Sequence, residues 1–593
     1  MLLKQLVDYA ERLERSTEIK TLPRGYQNVG IRWIIELDRD GTLIGRPQRT
    51  TSGEKDRAKQ YAAPSLVRTV GVKAKLLADN GEYTLGISRE DSDAAKVQKR
   101  HEAYLDALKA CQETTGSEEV QVITTFLETL SVDALNLPDD FDPNENITFS
   151  VEGTKPIDLP AIQSYWAEGA AVSKKKKALV AECLISGQMG EVMNREPVKI
   201  KGIPDGQTSG MNIVSANENV YESYGLKASQ IAPILPEYAE KYANALNYLL
   251  KNDETHLRVG SSVVYTFWTK QEDLPNLVTV LKDPAEVRNG LAARRGGNAP
   301  TFETRAEAGQ VKGALKSPWL GEVFTSVKDH KDAFYAASFS ASGSRVVVRD
   351  HITSTVGQLL ENLDNYFDAQ KLVDWEGKMG EPFGIYPLAA SLYRDANKEM
   401  VGSVPVAILA YALKKQPLPY ALLDQLVKRN RAERQLTRSR AVLTKMIFVS
   451  NQKEDMTGME KLVRDRPEAA YHLGRLLAAL ETIQKEAIPN IKAGIVDRFY
   501  GSFSTAPASV LGRLMQSSQD HLGKIRKDNY GAYTNAEKRL QEIIGHIEDA
   551  PDTLTTKDQA LFSLGFYHEK ADFWEGIMEK SRAKKAAESE EEQ

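Results

Sequence analysis

The chain has 593 residues, with 77 lysines and arginines against 82 aspartates and glutamates, a formal net charge of −5. This balance excludes a histone-like or polybasic protein, and 41% hydrophobic with 27% charged residues is typical of a globular chain of several domains. The two cysteines, Cys111 and Cys183, exclude a disulfide framework and a cysteine-based zinc site, so we expect a cytoplasmic protein. The best uncharged apolar run, residues 404–413, is shorter than the roughly 20 residues of a membrane helix, so we expect no membrane partner.

The first 150 residues predict an α+β region. Apolar residues recur at helical spacing over residues 2–13, and another helix is expected over residues 93–113. Residues 31–44 predict a β-hairpin around a polar turn. Residues 75–87 predict a second hairpin, because the Asn-Gly pair at its centre favours the positive φ angles of a type I′ turn.

The middle of the chain, residues 151–400, predicts a mixed α/β region. Residues 139–152 are an acidic loop leading into a strand, which we expect to link two lobes. Residues 174–225 are rich in Gly, Ser, Asn and Gln and predict irregular loops with short strands. Residues 259–269 and 336–348 are strand-like.

After residue 402 the pattern is helical almost to the end of the chain. Amphipathic segments with short connections predict an antiparallel helical bundle, and they cover residues 408–413, 422–427, 441–448, 470–488, 510–525 and 536–547. The predicted fold class is therefore α+β and multi-domain. Its three predicted domains are an N-terminal α+β lobe with hairpins (1–150), a mixed α/β region with Gly- and Asn-rich loops (151–400) and a C-terminal helical bundle (401–593).

No pattern of a catalytic or metal centre stands out. Gly202, Gly206 and Gly210 recur without the Gly-Lys-Ser/Thr ending of a phosphate-binding loop, and Ser209 lacks the G-x-S-x-G setting of a nucleophile. The eight histidines never cluster and none precedes an aspartate, so each is better explained as an ordinary surface or core residue. We therefore expect no catalytic residue, no metal, no cofactor and no enzymatic activity.

Cations are concentrated in one segment of this acidic chain. Residues 411–450 hold nine lysines and arginines and two acidic residues. On a single helix, Arg431, Arg434 and Arg438 lie at i, i+3 and i+7 on one face, where they can follow a phosphate backbone. The same segment also contributes Arg429 and Arg440. A solvated helix face is the alternative explanation.

Three smaller clusters have the chemistry to contact phosphates or a groove edge. Two of them are purely cationic, a run of four lysines and a pair of arginines before two glycines: Lys174, Lys175, Lys176, Lys177, Arg294 and Arg295. The third combines cations, amides and a hydroxyl on a Gly-rich loop: Lys199, Lys201, Gln207, Ser209 and Asn212. Glycines permit close approach, and these polar groups suit the acceptors of a duplex. The alternatives are a solvated helix start and a turn-rich scaffold that satisfies its own backbone.

The tip of the second predicted hairpin is a further candidate. Lys73, Lys75 and Asn80 project polar groups from it. A tip of this kind can enter a minor groove, where lysine or asparagine meets the acceptors of A·T pairs. A purely structural turn also explains the Asn-Gly pair.

Together these segments resemble the large subunit of the subtype I-C CRISPR Cascade complex. The likeness covers essentially the full length in unbroken order. It is carried by residues 1–13 (MLLKQLVDYAERL), 31–45 (IRWIIELDRDGTLIG), 77–86 (LADNGEYTLG), 183–192 (CLISGQMGEV), 198–225 (VKIKGIPDGQTSGMNIVSANENVYESYG), 339–350 (FSASGSRVVVRD), 470–491 (AYHLGRLLAALETIQKEAIPNI), 499–525 (FYGSFSTAPASVLGRLMQSSQDHLGKI) and 562–573 (FSLGFYHEKADF). Residues 198–225 are the most distinctive stretch.

The resemblance implies a non-enzymatic DNA-binding subunit of prokaryotic antiviral defence. Such a subunit recognises the protospacer-adjacent motif (PAM), a TTC-like trinucleotide in this subtype, helps to open the duplex and holds the displaced non-target strand in the R-loop. The implied partners are crRNA, the Cascade backbone subunits, the crRNA-processing subunit, target double-stranded DNA and the Cas helicase-nuclease. The resemblance also implies a small subunit made from an internal start, for which Met446, Met456 and Met459 are the candidates.

The resemblance raises two groups of candidates above their structural alternatives. We expect PAM or duplex contacts from Lys73, Lys75, Asn80, Lys199, Lys201, Gln207, Ser209 and Asn212. We expect the non-target strand to follow Lys174, Lys175, Lys176, Lys177, Arg294, Arg295, Arg429, Arg431, Arg434, Arg438 and Arg440. A metal-dependent nuclease with scattered acidic ligands and a purely structural scaffold for the crRNA complex are the rival functions.

Overall fold

The computed structural model describes residues 2–591 with internal gaps. The residues outside the described part are 1, 16–21, 24, 52–57, 67–70, 90–91, 172–178, 217, 272–273, 295–317, 325–330, 452–457 and 592–593. The side chains of residues 133, 169–171, 291–294, 318–319 and 580–591 also lie outside it. The described chain is α+β, as predicted. Its last strand ends at Thr355, and the later described elements are helices.

The chain divides into two compact units that each draw on separate stretches of sequence. The first consists of Met1–Gly202, Gly206–Tyr248 and Ser342–Val347, and the second of Ile203–Asp205, Leu249–Ala341 and Val348–Gln593. The three predicted domains, 1–150, 151–400 and 401–593, were defined by sequence character along the chain, whereas the two units are defined by spatial compactness. The three-domain division therefore remains a prediction.

A four-stranded sheet lies in the first unit, in the order β3-β2-β6-β5. Its strands are β2 (Trp33–Leu37), β3 (Gln48–Arg49), β5 (Ala78–Asn80) and β6 (Asn146–Val151). Strand β2 pairs antiparallel with β3, with Trp33 opposite Arg49, and parallel with β6, with Trp33 opposite Ile147. Leu37 forms a bridge with Leu43, so the first predicted hairpin is confirmed.

Helices cover this sheet because their apolar faces match its buried positions. Trp33, Ile35 and Leu37 alternate with more exposed residues along β2 and share a core with Tyr104 and Leu108. The predicted helices are confirmed as α1 (Leu2–Arg15) and α3 (Ala94–Thr115), and α4 (Glu118–Thr129) follows them. The side chains of Asp93 and Ser117 accept hydrogen bonds from backbone N–H groups at the starts of α3 and α4, which fixes where these helices begin.

The second predicted hairpin is wrong. Strand β5 pairs antiparallel with β6, and Gly81–Thr84 forms a short helix, α2, where a return strand was expected. The side chain of Asn80 accepts the backbone N–H of Tyr83 at 3.4 Å and caps this helix. An asparagine that can start a turn can also start a helix through the same short side chain, and the preceding strand found its partner in β6 instead.

The prediction that residues 139–152 link two lobes is also wrong. The acidic loop does lead into a strand, as expected, but that strand is β6 in the middle of the sheet. Its register, Leu37 opposite Val151 and Asn80 opposite Asn146, places it between β2 and β5. Strand β6 is therefore a structural centre of the first unit.

The rest of the first unit consists of two small ribbons and two helices. Strands β1 (Tyr26–Ile31) and β4 (Lys59–Pro64) pair antiparallel, as do β7 (Val180–Glu182) and β8 (Met189–Glu191). Helices α5 (Pro160–Ala171) and α6 (Pro236–Lys251) complete the helices that begin in this unit. Between β8 and α6 the described chain has isolated bridges and 3-10 turns, as its Gly- and Asn-rich composition predicts.

The second unit contains a four-stranded sheet in the order β12-β11-β10-β9. The strands are β9 (His256–Val259), β10 (Val263–Thr269), β11 (Ala333–Ser342) and β12 (Arg345–Thr355), whose first three residues belong to the first unit. Strand β10 pairs antiparallel with both neighbours, and Tyr265 lies opposite Leu257 on one side and Ser338 on the other. The strand character predicted for residues 259–269 and 336–348 is confirmed, but each segment contains a turn: residues 260–262 separate β9 from β10, and residues 343–344 separate β11 from β12.

Helices make up most of the second unit, and all six predicted amphipathic segments correspond to helices. The helices are α7 (Leu277–Lys282), α8 (Pro284–Arg294), α9 (Pro318–Val323), α10 (Val356–Gln370), α11 (Ile385–Ala390), α12 (Ala396–Glu399), α13 (Ser403–Lys414), α14 (Leu422–Glu433), α15 (Arg438–Asn451), α16 (Ala469–Ala487), α17 (Ile495–Phe503), α18 (Ala508–Asp528), α19 (Tyr530–Gly545) and α20 (Thr556–Glu591). None of the helices in the described part combines the length and apolar character that crossing a bilayer requires.

Helices α16 and α20 cross at two glycines. A Cβ atom on Gly474 would lie 1.9 Å from the carbonyl oxygen of Phe562, and one on Gly565 would lie 2.0 Å from that of Tyr471. Close to this crossing, the buried guanidinium of Arg475 donates to Glu569 at 2.9 Å. Backbone therefore meets backbone at the centre of the C-terminal helices.

Candidate nucleic-acid interface

A Gly-rich loop, residues 200–211, carries polar residues that the sequence singled out, and each of these polar residues belongs to the first unit. Its ends are joined by Ile200 and Met211, whose N–H groups each donate to the other's carbonyl at 2.8 Å. The side chains of Lys201, Gln207 and Ser209 are exposed on this loop. The pairing at its base therefore leaves a cation, an amide and a hydroxyl available to an external partner.

Helix α6 fixes the base of the loop through one asparagine. Asn247 Oδ1 accepts the N–H of Lys201 at 2.8 Å, and its Nδ2 donates to the carbonyl of Lys199 at 3.0 Å. Both contacts use backbone groups of the loop, so they leave the lysine side chains free of this task. Lys199 is half-buried and Lys201 is exposed.

Gly210 allows the loop to close on its own backbone. Its φ of 88° lies in the left-handed region, and a Cβ atom there would come within 2.8 Å of the Lys199 Cβ and 3.1 Å of the Ile200 carbonyl oxygen. Its N–H donates to the carbonyl of Gln207 at 2.9 Å. The glycine thus serves the loop's own closure.

Glu196 anchors the segment that follows the loop. Its carboxyl group accepts the N–H groups of Ile213 at 2.7 Å and Val214 at 3.1 Å, and the hydroxyl of Tyr242. Burial raises the pKa of Glu196 to about 7, although the hydrogen bonds oppose this shift. Sequence reasoning missed Glu196, because nothing in its local pattern distinguishes a buried glutamate from a surface one.

Asn212 joins the loop to the turn between β11 and β12. Its N–H donates to the carbonyl of Ser344 at 3.2 Å, and its own carbonyl accepts the N–H of Val346 at 2.8 Å. Its side-chain Oδ1 is buried and has no hydrogen-bond partner among the described residues. Asn212 therefore holds the backbone together, while Gln207 and Ser209 are the polar side chains that face solvent.

The same turn brings Arg345 to the interface, a residue that the sequence analysis did not single out. Its guanidinium lies over the ring of Tyr221, 4.5 Å from the ring centroid. Both residues fall within the stretches 198–225 and 339–350 that carried the family resemblance. The signal that could have identified Arg345 is its position directly after the short polar turn Ser342-Gly343-Ser344.

Lys73, Lys75 and Asn80 are not at the tip of a hairpin. Asn80 uses its side-chain oxygen to cap α2, and the N–H of Lys75 donates to Asp79 Oδ2 at 2.9 Å. Lys73 and Lys75 are half-buried. The protruding geometry that favoured minor-groove entry is therefore absent here, because these residues belong to a sheet strand, its approach and a helix cap.

The basic segment of the second unit is not one continuous helix. Helix α14 ends at Glu433, Arg434 adopts a φ of 55° at its C-terminus, and α15 begins at Arg438. The prediction that Arg431, Arg434 and Arg438 share one helix face is therefore wrong. The helix ends at a left-handed arginine, whereas a glycine is the usual residue at this position. Because no glycine or proline marks the end of α14 in the sequence, the helical spacing of the arginines was extended across the break.

Three of the predicted phosphate contacts have their guanidinium groups engaged within the fold. Arg440 is buried and donates to Glu433 and to the carbonyl of Ser391, the latter at 3.0 Å. Arg438 donates to the carbonyl of Glu381 at 2.7 Å, and burial lowers its pKa. Arg429 forms an ion pair with Glu433. Arg431 and Arg434 are exposed and stay the stronger candidates of this segment.

The remaining sequence candidates lie outside the described residues or at their limit. Lys174, Lys175, Lys176, Lys177 and Arg295 fall in stretches that the structure does not describe. Arg294 is the last residue of α8, and its side chain also lies outside the described part. Within the described residues, no group of three His, Cys, Asp or Glu side chains is arranged to hold a metal ion.

Comparison with known proteins identifies the family. The profile of the family described as CRISPR-associated protein (Cas_Csd1) matches residues 6–574, nearly the whole chain. No curated protein matches the chain. The matched range covers most of both units and every element of the candidate interface, so the chain belongs to the Cas_Csd1 family of CRISPR-associated proteins.

Proposed function

We propose that this CRISPR-associated protein is the large subunit of a subtype I-C Cascade complex. In this role it recognises the PAM in double-stranded DNA, helps to unwind the target, stabilises the displaced non-target strand and recruits the helicase-nuclease. Its proposed partners are crRNA, the backbone subunits, the crRNA-processing subunit and small subunits. The chain itself breaks no bond in this proposal.

The observation that carries the proposal is the exposed chemistry of the loop between Ile200 and Met211. Lys201 offers a charge to phosphate, while Gln207 and Ser209 offer hydrogen bonds to base edges. The loop is fixed at its base by Asn247, so its polar groups are held in position before any DNA arrives. A complex that scans many sequences needs a few such base contacts and leaves the rest of target identity to guide pairing.

The test compares binding of the assembled, crRNA-loaded complex to duplexes with the TTC-like motif and with that motif scrambled. We expect Lys201→Ala to weaken binding to both duplexes and to reduce the salt slope by about 0.9, the value for one lost phosphate contact. Gln207→Ala with Ser209→Ala should reduce the preference for the motif by about tenfold, because these side chains are the proposed base contacts. Binding is measured by fluorescence anisotropy at several salt concentrations.

Lys398→Ala is the matched control, because Lys398 is an exposed lysine of the second unit that already pairs with Asp395. This variant should bind both duplexes as the wild type does. A wild-type complex that binds both duplexes equally would overturn motif recognition by this chain. A complex that assembles fully but binds no DNA would favour the scaffold function. Cleavage of DNA by the purified chain with a divalent metal would favour the nuclease.

The internal start is part of the same proposal. Met446 and Met459 are buried in the core of the second unit, and Met456 lies outside the described residues. A product that begins at Met459 contains α16 to α20, including the crossing of α16 and α20 at Gly474 and Gly565. A second, shorter product on expression of the single reading frame would support this origin of the small subunit.

A further inference from the structure

Tyr224 combines full exposure with a strained backbone. Its side chain is 99% exposed, more than any other large hydrophobic residue of the described chain. Its φ of 52° lies in the left-handed region, which bulky residues rarely adopt. Gly225 follows with a φ of 74°, and the N–H of Leu226 donates to the carbonyl of Ser223 at 2.9 Å. Tyr224 therefore occupies the first central position of a tight turn, where Asn, Asp or Gly is usual.

Among the described residues, no packing of the Tyr224 ring offsets this strain. A tyrosine in a left-handed conformation normally gains from packing its ring, but the ring of Tyr224 stands in solvent. Strained residues of this kind persist where the surrounding structure holds them for an interaction. The combination therefore points to a partner outside the chain.

The loop that carries Tyr224 is itself well held. Tyr221 N–H donates to the carbonyl of Glu218 at 3.0 Å, and Glu222 N–H to that of Asn219 at 3.1 Å, which forms a 3-10 turn directly before it. The Arg345 guanidinium covers the ring of Tyr221. The aromatic side chain of Tyr224 is thus displayed on a folded support.

Cationic and amide side chains lie on the segments that adjoin the loop of Tyr224. Arg345 and Val346 are the first residues of β12, and the N–H of Val346 donates to the carbonyl of Asn212. Asn212 directly follows Met211, which closes the loop that carries Lys201. Lys227, three residues after Tyr224, is exposed, and its Nζ forms an ion pair with Glu222 Oε2 at 3.8 Å. The exposed ring of Tyr224 therefore belongs to a region whose neighbouring side chains can bind phosphates and base edges.

We propose that Tyr224 stacks on an unpaired nucleobase of the DNA bound at this interface. The inference rests on the proposed DNA-binding function and adds the class of ligand: a base that has left its pair. Every base has a π face, so a tyrosine can stack without reading sequence, while neighbouring cations contact the backbone. A base inside a duplex offers no free face, which makes this contact specific for opened DNA.

A protein partner is the rival occupant. An exposed tyrosine can anchor a protein interface, but such anchors lie at a centre poor in charge and ringed by residues that exclude water. Here Glu222, Lys227 and Arg345 lie on or beside the loop of Tyr224. These charged surroundings fit a hydrated nucleic acid better.

The test uses the assembled complex and two DNA duplexes that carry the motif but no sequence complementary to the crRNA guide, so that guide pairing does not open the paired duplex. One is fully paired, and the other contains unpaired bases next to the motif, with 2-aminopurine at each unpaired position in turn. We expect Tyr224→Ala to weaken binding to the opened duplex by about 5- to 150-fold and to leave binding to the paired duplex unchanged. The salt slope should stay the same, since stacking releases no counterion. The 2-aminopurine quenching at one position should be lost.

Three further variants separate stacking from folding. Tyr224→Phe keeps the ring and should retain both binding and quenching. Tyr224→Gly relieves the left-handed conformation, so it should melt at the wild-type temperature or above it and still lose stacking. Tyr530→Ala is the matched control, because Tyr530 is 67% exposed in the second unit and should leave binding unchanged.

The outcomes distinguish this inference from the proposed function. If the wild-type complex binds neither duplex, the proposed function fails. If it binds both and Tyr224→Ala changes neither affinity nor quenching, the stacking inference is overturned and DNA binding stands. Loss of the variant chain from the complex, seen by gel filtration, would overturn stacking in favour of a protein contact.

Discussion

Glu196 concentrates three hydrogen bonds on a carboxyl group next to the Gly-rich loop. The residue is 3% exposed, and its acceptor oxygens serve Ile213, Val214 and Tyr242. Burial raises its pKa from the ordinary 4.5 to about 7, so the folded chain holds this proton more tightly than the unfolded chain. The stabilisation from this proton is fully present below pH 4.5 and is lost as the pH rises through about 7.

A pH series on Glu196→Gln checks this assignment. We expect the wild-type melting temperature to fall relative to that of the variant between about pH 5 and about pH 8, by the equivalent of about 3 kcal/mol, because glutamine does not ionise. Tyr242→Phe removes one donor and keeps the carboxyl group, so it should retain the wild-type trend. Parallel pH profiles for the wild type and Glu196→Gln would contradict the raised pKa.

The roles of individual side chains were the hardest feature to predict from the sequence. Asn80, Arg438 and Arg440 have the residue types of DNA contacts, but the structure uses Asn80 as a helix cap and both arginines as internal donors. Lys201 and Gln207 have the same types and are exposed. The difference lies in tertiary partners that are distant in sequence, which a local pattern does not contain.

At the scale of elements, the break between α14 and α15 changes the path proposed for the displaced strand. Arg431 lies in the last turn of α14, and Arg434 ends that helix in a left-handed conformation. Both are exposed, whereas Arg440 is buried against Glu433 and Ser391. Exposed cations at a helix end can contact phosphates, while the buried one supports the fold.

Arg431→Gln combined with Arg434→Gln tests this path. We expect R-loop formation by the assembled complex to weaken by about tenfold near physiological salt, and its salt slope to fall by about 1.4, the value for two contacts to a single strand. Arg440→Gln should instead lower the melting temperature, because it removes the buried donor to the carbonyl of Ser391 and one of the two arginines that pair with Glu433. An unchanged salt slope in the double variant would remove both arginines from the strand path.

The crossing of α16 and α20 gives a prediction about stability. Gly474→Ala places a Cβ atom against the backbone of Phe562, which has no flexible end that could move aside. We expect it to lower the unfolding free energy of the C-terminal helices by more than about 3 kcal/mol, measured by thermal unfolding. Gly512→Ala is the matched control, since its Cβ meets nothing within 4 Å and alanine favours a helix by about 1 kcal/mol. Equal melting temperatures for both variants would contradict the crossing.

Elements were the scale at which the sequence predicted most. Amphipathic segments predicted α1, α3, α13 to α16, α18 and α19, because apolar residues recur in them with the 3.6-residue period of a helix, whereas α17 was not predicted. Strand β5, with three residues, is too short to show its period and was read as half of a hairpin. The end of α14 carried neither Gly nor Pro, so no local signal marked it.

At the scale of the whole molecule, the division into two units does not follow the order of the chain. Residues 342–347 belong with the first unit, and residues 203–205 with the second. A reading of composition along the sequence cannot find such exchanges, since each covers only a few residues. It did identify the α+β class and a family resemblance over nearly the full length, which the family profile supports at the level of CRISPR-associated proteins.

The first unit is assembled from separate stretches of sequence, which affects its folding during synthesis and the design of fragments. Ser342–Val347, which pairs with Asn212, is synthesised long after β6 has left the ribosome. The pairing beside the Gly-rich loop can therefore form only when more than half of the polypeptide has emerged. A fragment that stops before Ser342 contains every strand of the β3-β2-β6-β5 sheet and still lacks a piece of its own unit. Dissecting this protein for structural work thus calls for covalently rejoined segments or co-expressed halves.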